Sequence, residues 1–218
     1  MSHDDFDFEP VRGLPRRLPP GERMLWQGAP DAGAFAFRFL KLPHLTGYFL
    51  ALVGWAAISA ALDGGSAREV TGAAAFYGAL SLIALGLVRG YAELVARTTV
   101  YTLTDKRFVL RLGLALPISI NLPFSRIDTA AMREAPDGTG EIALTLRRGE
   151  RLAYFVLWPH TRGWRMSHPQ PALRCVPEVR KVAGLLARAL GGTAEAAAAP
   201  SVVPVAVDAI RPLAESAA

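Results

Sequence analysis

Residues 45–62, LTGYFLALVGWAAISAAL, carry no charged side chain over 18 positions. A second run at residues 70–88, VTGAAAFYGALSLIALGLV, is uncharged over 19 positions. As α-helices the two runs would be about 27 and 28 Å long, close to the roughly 30 Å hydrocarbon thickness of a bilayer. Neither run keeps the polar stripe of a helix on a soluble protein. The runs therefore predict two membrane-spanning helices, and a buried hairpin of a soluble protein is the less favoured interpretation.

The segments around the two runs predict their orientation. The short polar turn at residues 63–69, DGGSARE, makes the helices antiparallel neighbours and contains only one basic residue, Arg68. Six Lys or Arg residues precede the first run, and five follow the second run up to Arg111. Because basic residues collect on the cytoplasmic side, we expect a multi-pass protein of the cytoplasmic (inner) membrane with both termini in the cytoplasm.

The first 44 residues predict an N-terminal arm. Residues 1–23 are polar and rich in proline, which favours an extended chain. Residues 24–28, MLWQG, form a short apolar patch around Trp26 that could dock on another surface. Residues 34–42, AFAFRFLKL, have the aromatic and basic composition of an interfacial helix leading into the bilayer.

The residues after the second run predict a compact, mostly β domain over 98–190 at the cytoplasmic surface. Its short β-branched and apolar segments, separated by turn residues, favour an antiparallel sandwich or barrel. The expected strands are 98–103, 108–112, 118–122, 127–133, 141–147 and 152–157. Residues 177–190 have helical periodicity, and a glycine pair follows them. The predicted class is α+β: a transmembrane hairpin at 45–97, a β domain with a C-terminal capping helix, and a disordered tail at 191–218.

The charge and the cysteine content limit the partners and the covalent cross-links that we expect. The formal net charge is +5, and the basic residues that flank the two runs account for much of it, so we expect no nucleic-acid partner. Cys175 is the only cysteine of the chain, so no intrachain disulfide can form. A small buried side chain is the favoured interpretation of Cys175, ahead of a reactive thiol.

No motif in the sequence predicts catalysis, a cofactor or a metal. Residues 138–143, GTGEIA, match a dinucleotide-binding fingerprint, but alternating apolar residues follow and indicate a hairpin turn and a strand instead of a helix. The four histidines, among them His44 at the start of the first run, do not stand at metal-ligand spacings. We therefore expect a protein that is not an enzyme.

Residues 158–165, WPHTRGWR, are the most distinctive stretch, because aromatic and Arg side chains in a loop favour protein contacts. The partner-binding candidates are Trp158, His160, Arg162, Trp164, Arg165 and Trp26. The alternative is that Trp158 caps the sandwich and Trp164 packs locally. Arg147, Arg148 and Arg151 form a basic tip that could meet anionic lipid headgroups, although an ordinary solvated hairpin explains them equally well.

Three motifs in order, GLPRRLPPGERMLWQGAPD at 13–31, YTLTDKRFVLRLG at 101–113 and LWPHTRGWRMSHPQPALRC at 157–175, resemble the PuhB-type photosynthetic complex assembly proteins of purple phototrophic bacteria. The resemblance covers residues 10–190, approximately. It implies a bacterial PH-like domain, a small β-sandwich closed by a C-terminal helix.

The resemblance also implies a role and a set of partners. The protein would help to assemble the photosynthetic reaction centre and its surrounding antenna without remaining part of them. It would bind reaction-centre subunits and antenna polypeptides, hold no pigment and have no catalytic residues; self-association is left open. The rival hypothesis is a PH-like membrane scaffold that binds anionic lipid and has no link to photosynthesis.

Overall fold

A computed structural model describes residues 12–113, 118–147, 153–162 and 169–196, with side chains described as far as Gly191. The chain forms two compact units. Ala32–Ala96 make up the first, which we call the helical unit, and the residues up to Asp31 together with those from Arg97 make up the second, the β domain.

The helical unit contains the two uncharged runs as helices. A short helix, α1 (Ala32–Ala34), continues as a π-helical turn (Phe35–Phe39), and the helices α2 (Leu42–Leu62) and α3 (Ala67–Thr98) follow. Both α2 and α3 are long and apolar enough to cross a membrane.

The start of α3 is fixed by a capping box. The Ser66 N–H donates to Glu69 Oε2 at 2.6 Å, and the Glu69 N–H donates back to Ser66 Oγ at 3.4 Å. This reciprocal pair satisfies backbone donors that the first helical turn leaves without partners. The polar turn is therefore shorter than predicted, because Ala67 is already helical.

The surface of the two helices is unusually apolar. No residue of α2 is buried, and Trp55 is 71% exposed. On α3, the large apolar side chains of Leu82, Ile83 and Leu87 are also exposed. A continuous apolar surface of this length is costly in water and needs either lipid or protein around it.

The β domain consists of two antiparallel sheets and a C-terminal helix. The strands of the first sheet lie in the order β1-β2-β3-β4, and those of the second in the order β5-β6-β7. The strands are β1 (Met24–Gly28), β2 (Val100–Thr104), β3 (Arg107–Leu112), β4 (Ile118–Pro123), β5 (Ile127–Glu134), β6 (Gly140–Leu146) and β7 (Ala172–Val176). The helices are α4 (Tyr154–Leu157) and α5 (Val179–Ala196). This architecture confirms the predicted α+β class.

The core of the β domain lies between the sheets and α5. Leu103 and Leu110 come from the first sheet, Leu144 and Leu173 from the second, and all four are almost fully buried. The helix α5 adds Val179, Val182 and Leu186 to the same cluster at the spacing predicted for its apolar face.

The hairpin between β5 and β6 explains the glycine motif. Gly138 has φ +76°, a left-handed conformation that glycine adopts without strain, and its N–H donates to Ala135 O at 3.0 Å. A Cβ at Gly140 would lie 2.3 Å from Arg133 O, so a larger residue does not fit there. The fingerprint is therefore a turn, as predicted, and holds no nucleotide-binding helix.

The N-terminal segment differs from the predicted arm of residues 1–44. β1 pairs with β2 and places Trp26 opposite Leu103, where Trp26 packs against the core. Upstream, Glu22 accepts from Arg107 at two points, Nε–Oε1 2.7 Å and Nη2–Oε2 3.0 Å. The predicted boundary at residue 44 is wrong, because residues 12–31 belong to the β domain.

Two predictions in the second half of the domain are also wrong. Residues 152–157 were expected to form a strand, but Tyr154–Leu157 form a helical turn that buries only Leu157 fully. No strand was expected between residues 157 and 177, but Ala172–Val176 form β7, which pairs with β6.

The end of the chain differs in one respect. The glycine pair at residues 191–192 does not end α5, which continues to Ala196. The start of the predicted disordered tail at residue 191 is therefore wrong. The preceding turns of α5 pack on the core, and this stabilises the helix enough to continue through two glycines of low helix propensity. The rest of the predicted tail, 197–218, lies outside the described residues.

Candidate functional site

The distinctive loop leaves α4 and returns into β7, and its two ends are held together. The Ala172 N–H donates to His160 O at 2.8 Å, and the Arg162 N–H donates to Gln170 O at 2.9 Å. Thr161 and Pro171 form an antiparallel bridge between these two bonds. Backbone pairing therefore holds the two ends of the segment between Arg162 and Gln170 next to each other.

His160 lies inside the domain. Its side chain is 2% exposed, and both ring nitrogens have partners: Nδ1 is 2.6 Å from Tyr101 Oη, and Nε2 is 3.2 Å from Thr99 Oγ1. The prediction that His160 contacts a partner is corrected here, because a buried imidazole with both nitrogens occupied cannot reach another protein.

One neutral tautomer of the imidazole satisfies the surrounding hydrogen bonds. The Arg174 backbone N–H donates to Tyr101 Oη at 3.1 Å, which leaves the hydroxyl proton of Tyr101 for donation to His160 Nδ1. The ring then carries its hydrogen on Nε2 and donates it to Thr99 Oγ1. We assign the neutral Nε2–H tautomer on this basis.

Arg174 connects this group to the second sheet. Its Nη1 lies 2.5 Å from Glu141 Oε1, and its Nη2 donates to the Thr161 carbonyl oxygen. Thr99, Tyr101, Glu141, His160 and Arg174 therefore form one connected network, which we call the polar clamp. The clamp ties β2, β6 and β7 to the base of the loop.

The polar clamp is neutral at its centre. Burial lowers the pKa of His160 to about 3, with a smaller contribution from the positive charge of Arg174. Burial also raises the pKa of Tyr101. Neither His160 nor Tyr101 changes its charge near pH 7, so the arrangement favours a structural role over proton transfer.

The His160 pKa predicts an acid-sensitive β domain. The unfolded chain binds a proton near the ordinary histidine pKa of 6.5, whereas the folded chain binds it only near pH 3. Below pH 6.5 the free energy of unfolding should therefore fall by roughly 1 kcal/mol per pH unit from this residue, and the loss should be absent above that pH. Hydrogen exchange of β-strand amides from about pH 7.5 to about pH 5 measures the slope. An equal slope in His160→Gln would contradict the assignment.

The other predicted partner residues occupy separate places. Trp158 is 50% exposed and Arg162 is exposed, so both are accessible beside the clamp. Trp26 lies on β1, packs against the core and does not line the groove next to Trp158. Trp164 and Arg165 lie outside the described residues.

The predicted basic tip is partly described. Arg147 is exposed, and its N–H donates to Arg126 O at 2.9 Å, so two arginines are neighbours where β5 begins and β6 ends. Arg148 and Arg151 lie outside the described residues. Arg126 was not predicted, and its register against Arg147 is visible only once the sheet is known.

The structure adds residues that the sequence did not single out. The clamp partners of His160 lie 59 or more positions away along the chain or on β7, and no local pattern marks them. Phe155, an exposed aromatic residue on α4, was assigned to a strand. Among the described residues, no three His, Cys, Asp or Glu side chains are grouped in a way that could hold a metal ion.

Comparison with known proteins places the chain in a family. The model of the bacterial PH domain family (bPH_2) matches residues 38–190. The chain is 39% identical over 190 residues to an uncharacterized 23.7 kDa protein in the puhA 5′ region of Rhodobacter capsulatus, covering 87% of this chain and 89% of that protein. No solved structure matches the chain. The two sheets closed by α5 agree with the family match, and the chain belongs to the bacterial PH domain family.

Proposed function

We propose that the protein is a membrane-bound assembly factor for the bacterial photosynthetic reaction centre and light-harvesting complex. It acts through protein–protein contacts and not as an enzyme. The observation that carries the proposal is the 39% identity, over most of both chains, to a protein whose name places it in the puhA 5′ region, a photosynthesis gene region. The order of the three motifs at 13–31, 101–113 and 157–175 supports the same assignment.

In this proposal α2 and α3 cross the inner membrane and leave both termini in the cytoplasm. The exposed apolar faces of the two helices support it, because lipid or neighbouring helices would cover them. A Cβ built on Gly86 or Gly90 of α3 would meet no side chain and no other part of the described chain within 4 Å, which leaves room for close contact with a helix of a reaction-centre subunit.

The polar clamp supports a contact at the cytoplasmic surface. Arg174 of the clamp binds the Thr161 carbonyl oxygen, and the backbone pairing of residues 160–162 with 170–172 holds both ends of the segment that contains Trp164 and Arg165. A loop with fixed ends loses less conformational freedom when it binds. Aromatic and Arg side chains are the types that most often dominate protein interfaces.

Complementation in a phototrophic host tests the role. Deletion of the gene should lower reaction-centre and antenna absorbance in membranes, and the wild-type chain should restore it. The double variant Trp164→Ala/Arg165→Ala should restore it poorly, whereas Lys181→Ala, on the exposed face of α5, should restore it fully. Normal absorbance in the deletion strain would refute the assembly role.

A lipid-binding scaffold is the second candidate, and the adjacent Arg126 and Arg147 favour it. Two measurements separate the functions: a scaffold without a link to photosynthesis predicts normal absorbance in the deletion strain, and weaker binding of the full chain to anionic lipid in Arg126→Ala/Arg147→Ala than in Trp164→Ala/Arg165→Ala. The full chain is needed, because a fragment starting at residue 98 would lack β1 and expose one edge of the first sheet.

A further inference from the structure

A second apolar surface lies on the β domain around α4. Phe155 is 83% exposed, Trp158 is 50% exposed, and Val156 and Ile118 are each 39% exposed. Together with Leu112 they border an open groove of about 310 Å³. Large apolar side chains concentrated in this way mark a binding surface.

The residues between these side chains are fixed in the domain. Leu157 is fully buried, and Pro159 and His160 are buried on the other side of Trp158. The Trp158 N–H donates to Tyr154 O at 3.0 Å and closes the helical turn. The backbone that carries Phe155 and Trp158 is therefore fixed on both sides. This reduces the conformational entropy lost when the two side chains become buried in lipid or against another protein.

The charges that flank α4 along the sequence indicate which surroundings suit these side chains. Residues 147–162 contain four arginines and one glutamate, a formal charge of +3 from 4 − 1, and Arg147 and Arg162 at the two ends are exposed. Aromatic side chains with arginines on both sides are typical of segments at the boundary between headgroups and acyl chains. The positive charge is complementary to anionic headgroups.

The groove is also close along the chain to the second candidate membrane span. Thr99 lines the groove and directly follows Thr98, the last residue of α3. Only ten residues of chain, 89–98, separate Thr99 from the charge-free stretch that ends at Val88. A tether this short gives a high effective concentration of lipid, so a small patch is sufficient for binding.

We propose that Phe155, Val156, Trp158 and Ile118 enter the interfacial layer of the same membrane that α2 and α3 cross, while Arg147 and Arg162 contact anionic headgroups. The inference rests on the proposed membrane insertion of the two helices but not on the assembly role. It gives the β domain a second, monotopic contact with the bilayer.

Fluorescence quenching in nanodiscs tests the contact on the full chain. Single cysteines are introduced as Phe155→Cys, Leu82→Cys and Lys181→Cys and labelled with an environment-sensitive fluorophore; the native Cys175 is buried, and the unsubstituted chain serves as the labelling blank. The nanodiscs contain anionic and zwitterionic lipid, with a nitroxide on the acyl chain near the headgroup. Position 82 marks the span, and position 181 marks an exposed face of α5.

We expect the nitroxide to quench position 155 at least about twofold more than position 181, and position 82 to be quenched as well. Removing the anionic lipid should weaken quenching at position 155 but not at 82, because only the former depends on the arginines. Equal quenching at 155 and 181 with position 82 quenched would overturn the proposal and leave the groove to a protein partner. No quenching at position 82 would overturn the membrane insertion and this inference together, whereas the assembly role is decided separately by complementation.

Discussion

Replacing Tyr101 by Phe should lower the free energy of unfolding of the β domain by about 2–4 kcal/mol. The substitution keeps the ring but removes the hydroxyl that pairs with His160 Nδ1 at 2.6 Å and accepts from the Arg174 N–H at 3.1 Å. Both groups would then be buried without this partner, and each buried group left unpaired costs about 1–3 kcal/mol. Hydrogen exchange of β2 and β6 amides in the full chain measures the change.

A matched control is available on α4. Tyr154 is only partly buried, so Tyr154→Phe should change the same quantity by less than about 0.5 kcal/mol. The double variant Tyr101→Phe/His160→Leu should lose less than the sum of the two single variants, because the two residues share one hydrogen bond. Additive losses, or a loss below about 1 kcal/mol for Tyr101→Phe alone, would show that the clamp does not hold the loop.

Much of the fold could be predicted because it depends on local patterns. The uncharged runs at 45–62 and 70–88 lie within α2 and α3, and the predicted strands from 98 to 147 correspond to β2–β6. In each case the type of secondary structure follows from the composition and the spacing of apolar side chains over neighbouring residues. The hairpin at Gly138 could be predicted for the same reason, since turn residues carry their own conformational preference.

The pairing of β1 could not be predicted in this way. Trp26 and Leu103 face each other across 77 positions of the chain, and the whole helical unit lies between them. The family match also begins only at residue 38, after β1 has ended. The only local feature of this five-residue strand is its apolar composition. That composition fits a surface docking patch as well as a strand that pairs with a distant part of the chain.

The α4 region shows a second limit. Tyr154, Phe155, Val156 and Leu157 are four consecutive apolar residues, and such a short run does not distinguish a strand from a helical turn. His160 shows a third, because a histidine between Pro159 and Thr161 resembles an exposed loop residue until its distant partners are known. The buried polar network was therefore found only in the structure, whereas the exposed Trp158 and Arg162 were anticipated.

Substituting Arg for Ile83 tests the membrane insertion, because water and lipid predict opposite results. Ile83 is 61% exposed on α3 and lies four residues from the centre of the charge-free stretch. On a water-exposed helix the change should cost less than about 0.5 kcal/mol. At the centre of a bilayer an arginine costs about 2.5–3.5 kcal/mol, so we expect insertion of α3 to be disfavoured by roughly 100-fold.

A topology reporter at the C-terminus measures this effect. If α3 fails to insert while α2 still crosses, the C-terminus moves from the cytoplasm to the periplasm, and a reporter active only in the periplasm gains signal. Gly184→Arg is the control, since it places the same side chain on the open, exposed face of α5 and should leave the reporter unchanged. Ile83→Arg with an unchanged reporter and a chain that is extracted in aqueous buffer would mean that α3 does not lie in lipid, because a water-exposed helix accepts that charge at little cost.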